Sequence, residues 1–272
     1  MAQKVIYTVL TGGYDHLQQP EVIDPDWDFV CFGDQDGQDG VWQLRSIPFE
    51  GTPVMRARWA KMHPHILLPE YSYSVFMDAN LCIFGSDFYS ALLRAQKATK
   101  TCPLPCWSTP SATKMAQNLP FAVLEHPQRD CVWDELLYCY LKDKVSTRTA
   151  VRWHRFLQKM DMPRHNGLAE TCILYREHNY PGVVALDELW WDYLVQSGGS
   201  RDQLCFTPAL HKLGLVPGLL LGPGLNARNV PYIKYVNHPV KGTQNQPGKL
   251  NWANLKYNIR LLWRKAVLLC LK

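Results

Sequence analysis

Three short apolar runs, Val5–Leu10, Asp28–Phe32 and Tyr73–Met77, each stop at residues that turn the backbone or carry a polar group. The first enters Thr11-Gly12-Gly13-Tyr14-Asp15, where glycine permits a turn. The second enters the acidic, glycine-bearing stretch Gly33–Gly40, which is expected to be a loop. The third ends at Asp78-Ala79-Asn80. Apolar runs of this length read as buried strands, and helical patterns between them make an open α/β sheet. Such sheets hold ligands at the carboxyl ends of central strands, so Asp78 and Asn80 stand where a ligand site is expected.

Between the second and third runs, Met55, Arg56, Arg58, Trp59, Lys61 and Met62 fall at helical spacing within Val54–Leu68, before Pro64 and Pro69 break the pattern. Further helices are expected at Ser86–Lys97, Cys131–Lys142 and Leu186–Gln196, and a strand at Phe121–Leu124. Arg201-Asp202-Gln203 reads as a helix start with Ser200 as its cap. The Gly-, Pro- and Leu-rich stretch Leu213–Asn229 reads as an irregular loop. The expected organisation is one α/β domain over residues 1–248 and a helical extension over 249–272.

With 47% hydrophobic and 19% charged residues in a chain of 272, disorder is excluded as the default state. No run of eighteen apolar residues and no signal-peptide pattern appears, which points to a cytoplasmic location. The nine cysteines are odd in number and sit mostly among apolar neighbours, as reduced thiols do. Cys102 and Cys106 have half-site spacing for zinc, but no second pair follows. All 24 acidic residues lie at or before Asp202, whereas the last 70 positions carry ten of the 29 Lys and Arg. Within that segment Lys256, Arg260 and Arg264 make an i, i+4 stripe beside Leu255, Ile259, Leu262 and Trp263. This basic amphipathic pattern suits an anionic membrane surface, or equally packing against its own domain.

Asp78 and Asn80 flank a spacer at a strand end, where both could reach one hard divalent cation, Mn²⁺ or Mg²⁺, together with a donor's phosphates. Arg56, Arg58 and Lys61 on one helix could neutralise a diphosphate, or simply be solvated. Glu125-His126 and His165-Asn166-Gly167-Leu168-Ala169-Glu170 place hydrogen-bonding groups beside turns, as sugar hydroxyl recognition requires. His238, in Asn237-His238-Pro239-Val240-Lys241-Gly242, could complete a metal shell while Lys241 meets a phosphate.

In order along the chain stand Tyr-Thr-x-Leu-Thr-Gly-Gly-Tyr-Asp, Asp-Trp-Asp-Phe-Val-Cys-Phe, Arg-x-Arg-Trp-x-Lys-x-x-Pro, Met-Asp-Ala-Asn, Glu-His-Pro, Gly-Leu-Ala-Glu and Arg-Asp-Gln. This set, spread over Lys4–Lys212, resembles a glycosyltransferase-like family long catalogued as a domain of unknown function. Its members occur in bacterial surface-polysaccharide clusters and among plant Golgi proteins tied to pectin and mucilage. The family is in turn similar to the glycogenin and lipopolysaccharide galactosyltransferase group, which implies a GT-A fold (a Rossmann-like mixed sheet flanked by helices), a UDP-sugar donor, Mn²⁺ and retention at the anomeric carbon.

The same resemblance implies that Thr11, Tyr14, Asp15, Arg58, Lys61, Asp78, Asn80 and Lys241 face the nucleotide sugar, and Glu125 and His126 are expected there from their place beside a turn. It implies that Asp78, Asn80 and His238 hold the metal, and that Asp202, Glu170 and Gln203 act at the transferred sugar. Asn80 departs from the acid expected there, which removes one negative charge from the metal shell.

The function expected is transfer of a sugar from a nucleotide diphosphate donor to a glycan or lipid-linked acceptor in surface polysaccharide synthesis. The alternative is a protein that binds nucleotide sugars on the same fold without turnover. No Gly-x-Ser-x-Gly or His-Glu-x-x-His motif supports a hydrolase, and no stacking or sequence-reading signature supports a nucleic-acid partner.

Overall fold

The computed structural model describes residues 3–13, 15–98, 117–198, 201–236, 262–263 and 266–267. The chain opens with β1 (Lys4–Val9), β2 (Trp27–Gly33), β3 (Gly37–Asp39) and β4 (Trp42–Ser46), then passes through α1 (Pro53–Met62) and α2 (Pro64–Leu67) to β5 (Tyr73–Met77). There follow β6 (Leu81–Ile83), α3 (Asp87–Ala98), β7 (Gln117–Glu125), α4 (Val132–Leu141) and α5 (Thr147–Lys159). The remainder comprises β8 (Ala169–Arg176), α6 (Pro181–Gln196), α7 (Asp202–Leu213), β9 (Leu215–Leu219) and β10 (Ile233–Tyr235).

An eight-stranded sheet in the order β3-β4-β2-β1-β5-β8-β7-β9 forms the centre, and β6 pairs with β10 in a small second sheet. β4, β2, β1 and β5 run parallel, with Ile6 opposite Phe29 on one side and Val75 on the other. β8 runs antiparallel between β5 and β7. The result is a mixed central sheet flanked by helices, an α/β Rossmann-like arrangement of the GT-A-like kind. After β1 the chain adds β2 on one side and later β5 on the other, which opens a crevice at the carboxyl ends of β1 and β5.

Alternation of side chains along the strands divides the core between two faces. Val5 and Tyr7 of β1 pack with Val30, Phe32, Ala60, Met62, Leu136, Trp153, Leu186, Trp190 and Phe206, so α1 and α4 to α7 cover one face. Ile6, Phe29 and Val75 point to the other, against Phe88 and Leu92 of α3 and Ile83 and Ile233 of the small sheet. Helix α1 starts where Thr52 Oγ1 accepts the Met55 amide at 3.3 Å, with a proline in its first turn, and the backbone changes direction at His63 before Pro64.

Three expectations need correction. Leu213–Asn229 is not wholly irregular, because Leu215–Leu219 forms β9 along β7, with the Leu220 amide bonded to Val123 O at 2.8 Å. The strand lies at the sheet edge, where Pro217 is tolerated. The stretch Gly33–Gly40 contains β3, which pairs with β4 rather than remaining a loop. Helix α7 has Arg201 in place of the expected Ser200 at its N-cap, and the Arg201 side chain makes no capping hydrogen bond. The extension from residue 249 lies outside the described residues, except that 262–263 and 266–267 are helical.

His178, just after β8, is fully buried, and its Nε2–H donates to Leu68 O at 3.0 Å. Burial pushes its pKa down to about 4, helped by Arg176 and opposed by the Leu68 bond. The folded value lies below the unfolded one, so the neutral ring contributes stability that is whole above about pH 6.5 and is lost as pH falls toward 4. Between pH 7 and pH 5 this residue is expected to remove about 2 kcal/mol of stability. Urea unfolding of wild type and His178→Gln at both pH values checks it, since the variant should lose that increment. An identical pH dependence in the two would be the wrong result for this residue.

Candidate functional site

The C-terminal half of α1 carries Arg58 and Lys61 three residues apart, on one side of the helix. Both reach Asp202, the first residue of α7. Lys61 Nζ lies 2.8 Å from Asp202 Oδ2 and 3.2 Å from Thr171 Oγ1 on β8, and 4.8 Å from the centroid of the Phe76 ring. Arg58 Nη1 pairs with the same carboxylate oxygen. Lys61 is 4% exposed and Asp202 5%, so the ion pair is shielded from water and little screened by salt. Burial alone would raise the Asp202 pKa, but Arg58 and Lys61 outweigh it and hold the carboxyl well below the ordinary range. Asp202 therefore stays ionised at neutral pH and is a weak proton acceptor.

The placement of Lys61 is itself supported from below. Its carbonyl oxygen accepts from Tyr7 Oη at 2.9 Å and Arg176 Nη2 at 2.8 Å, while Arg176 Nη1 bonds Asp187 Oδ2 at 2.8 Å. Arg176 and Asp187 are both fully buried, and the network ties β1, β8, α6 and the end of α1 together.

Asp78 follows β5 directly, and its amide donates to Cys172 O at 2.9 Å. Burial is the largest influence raising its pKa; Lys61 and Arg58 oppose that rise, and the charges of Asp202 and Glu170 add to it. Asp78, Lys61, Arg58, Asp202 and Glu170 thus form one electrostatic group. Glu170, the second residue of β8, accepts from Arg228 Nη1 at Oε1, and its Oε2 is buried without a partner among the described residues. The Arg228 guanidinium in turn lies 4.6 Å from the centroid of the Tyr235 ring.

Next to this group a small cleft, with room for little more than a water molecule, lies between the ends of β1 and β5. Thr8, Leu17, Gln18, Trp42, Met77 and Asp78 are among the residues lining it. The Thr8 hydroxyl is buried and has no partner among the described residues. One carboxylate of the group thus stands at the mouth of a largely apolar slot at the topological switch point.

Comparisons with known proteins add a structural likeness. No family model and no curated protein matches the chain. Among solved structures it is similar to the apo structure of WbbM, a bifunctional glycosyltransferase, at 10% sequence identity and a TM-score of 0.39. The alignment covers 79% of this chain and 37% of that one, so the chain spans little more than a third of the other's length. The family resemblance consequently rests on the motifs quoted above.

Not every residue expected at the site joins this group. Asn80 Nδ2 donates to Val236 O at 3.2 Å and Asn80 O accepts from the Val236 amide at 2.8 Å, which joins the turn after β5 to the end of β10. Gln203 Nε2 is committed to Ala169 O at 2.9 Å, and Thr11 Oγ1 to Pro53 O at 2.8 Å. Asp15 is half-buried near the turn after β1. Glu125 Oε2 accepts from the Gly224 amide at 2.8 Å, and His126 Nδ1 from the amides of Gln128 and Arg129 at 3.2 and 3.0 Å. Burial, then Arg129, pushes the His126 pKa down to about 4, so that ring is neutral. Arg56 pairs with Asp34 at 2.5 Å, at the end of β2. Tyr14, His238, Lys241, Cys102 and Cys106 lie outside the described residues.

Sequence patterns did not disclose Thr171, Arg228 or Tyr235. Thr171 sits in a strand whose eight residues are all buried, so neither alternation nor polarity marked it. Arg228 lies within, and Tyr235 follows, a stretch that lacked a periodic pattern.

The metal question turns on donor chemistry. Asp78, a hard oxygen donor in a buried setting at the end of β5, fits a small hard divalent cation. Among the described residues, the group of three His, Cys, Asp or Glu ligand atoms lying within 4.8 Å of one another is Cys131, Asp134 and His165. Asp78 is not part of it.

Proposed function

We propose that this chain is a glycosyltransferase that takes a sugar from a nucleotide diphosphate donor, with UDP-sugars the first class to test. The observation that carries the reading is the shielded Arg58–Lys61–Asp202 group set beside Asp78 at the carboxyl ends of β1 and β5. Binding a diphosphate there would use Lys61 and Arg58 as its counter-charges, held in place before the ligand arrives. Departure of the nucleotide diphosphate builds negative charge on the leaving oxygen, and cations fixed nearby lower that barrier without reorganising.

Asp202 has the role of a positioning residue in this scheme. Its carboxylate orients Lys61 and Arg58, and its depressed pKa makes it unsuited to accept a proton. Glu170 is the carboxylate assigned to the transferred sugar, because one of its oxygens has no partner among the described residues. Asp78, together with Asn80 and His238, would hold Mn²⁺ or Mg²⁺, which when bound supplies Lewis-acid stabilisation of the leaving diphosphate. Retention at the anomeric carbon and a glycan or lipid-linked acceptor complete the proposal.

Calorimetric titration of UDP and a panel of UDP-sugars, with and without Mn²⁺, tests it. Wild type is expected to bind UDP with Mn²⁺ dependence, and Asp78→Asn to lose that dependence, with the fold intact by circular dichroism. Metal-dependent binding that survives Asp78→Asn at full strength would remove Asp78, and with it the assignment of the site.

A further inference from the structure

A second group of ligating side chains stands away from Asp78. Cys131 is the N-cap residue of α4 and is fully buried, Asp134 lies in the first turn of the same helix, and His165 sits in the loop that leads into β8. One ligand atom from each lies within 4.8 Å of the other two. Asp130 Oδ1 accepts from His165 Nδ1 at 2.8 Å, which puts the proton on Nδ1 and leaves the lone pair on Nε2. A carboxylate behind a histidine in this way is the outer support typical of metal-bound imidazole.

The loop is also held to the helix by other means. Trp133, between the cysteine and the aspartate, donates from Nε1 to Met162 O at 3.0 Å, and Arg164 lies 5.1 Å from the centroid of its ring. His165 itself adopts φ of 51°, a left-handed conformation uncommon outside glycine. The chain therefore accepts a cost in backbone energy in the conformation that carries this imidazole.

From this constellation we propose a zinc-class site: Cys131, Asp134 and His165 bind one borderline divalent cation, with Asp130 orienting the histidine. A thiolate and an imidazole select a softer ion than the all-oxygen groups near Asp78 would, so the site belongs to Zn²⁺ rather than to Mn²⁺ or Mg²⁺. Three protein ligands leave a fourth position to water. The ion clips the loop after α5 onto the start of α4, at the point where the chain enters β8 five residues before Glu170. This inference does not depend on the proposed transferase activity.

Cobalt serves as the probe, because Co²⁺ occupies zinc sites and a bound thiolate gives it a ligand-to-metal charge-transfer band. The full chain, stripped with chelator under reducing conditions, is expected to take up one Co²⁺ with that band and to release it on adding one equivalent of Zn²⁺. His165→Ala changes an exposed side chain and should keep the fold while losing the tight Co²⁺ uptake and the upward shift in melting temperature given by Zn²⁺. Asp130→Asn should weaken Zn²⁺ binding about 10- to 100-fold. Asp78→Asn should leave the band unchanged, which separates this site from the proposed diphosphate site. Absence of a charge-transfer band in the wild type, or undiminished Zn²⁺ binding by His165→Ala, overturns the proposal.

Discussion

Asp187→Ala is expected to destabilise the folded chain by about 3–5 kcal/mol, because it leaves the Arg176 guanidinium fully buried without its counter-charge. The cost comes from the charge left behind more than from the attraction lost. Arg176 would keep its bonds to Tyr7 Oη and Lys61 O, neither of which carries a negative charge. Urea unfolding monitored by tryptophan fluorescence measures the effect. The double variant Arg176→Met/Asp187→Leu should regain much of the loss, since apolar pairs of similar volume often replace buried ion pairs without penalty. A cost below about 1 kcal/mol for Asp187→Ala would mean that water or another group reaches Arg176, and that the network does not hold Lys61 in the manner described.

The same network shows where sequence alone falls short. Tyr7, Arg176 and Asp187 come from β1, β8 and α6, and nothing in their local sequence announces that they meet. Arg176 ends an eight-residue strand buried along its whole length, where a charged residue contradicts the usual rule for interiors. Local pattern was sufficient where one strand or helix has its own signature. Tyr73–Met77 was legible because a run of four apolar residues and one serine leads straight into an aspartate, and Cys131–Lys142 because its apolar residues recur at helical spacing. β9 was hidden by Pro217 and Gly218, residues that argue against a strand except at an edge.

The candidate site follows the same division. Asp78 and the basic pair on α1 were legible, one from its place at a strand end and the other from helical spacing. Their meeting with Asp202 depends on β8 running antiparallel between β5 and β7, which brings Thr171 to Lys61 and Glu170 to the same end of the sheet. Asn80 was assigned to a metal by its spacing from Asp78; its amide nitrogen donates to Val236 O, which orients the side chain without using Oδ1, the atom that would ligate. Spacing places side chains on a turn; it does not say which neighbour will claim their hydrogen bonds.

Lys61→Ala is expected to lower nucleotide-sugar turnover about 10²- to 10³-fold, the range found when one preorganised group facing developing charge is removed. The proposal predicts a fall mostly in kcat, because the buried ammonium faces charge that grows as the diphosphate leaves. The variant also leaves Asp202 with Arg58 as its remaining partner among the described cations at hydrogen-bonding distance, so the site keeps its charge balance within one unit. Lys61→Arg keeps the charge but not the shape, since a planar guanidinium cannot replace a compact ammonium wedged between Asp202, Thr171 and the Phe76 ring. Turnover in Lys61→Arg should therefore stay well below wild type although the charge is restored. Steady-state hydrolysis of the best-bound UDP-sugar, measured for both variants, decides the matter. If Lys61→Ala turned over donor at the wild-type rate, the buried group would be a structural ion pair, and the catalytic centre would have to be sought elsewhere along the sheet.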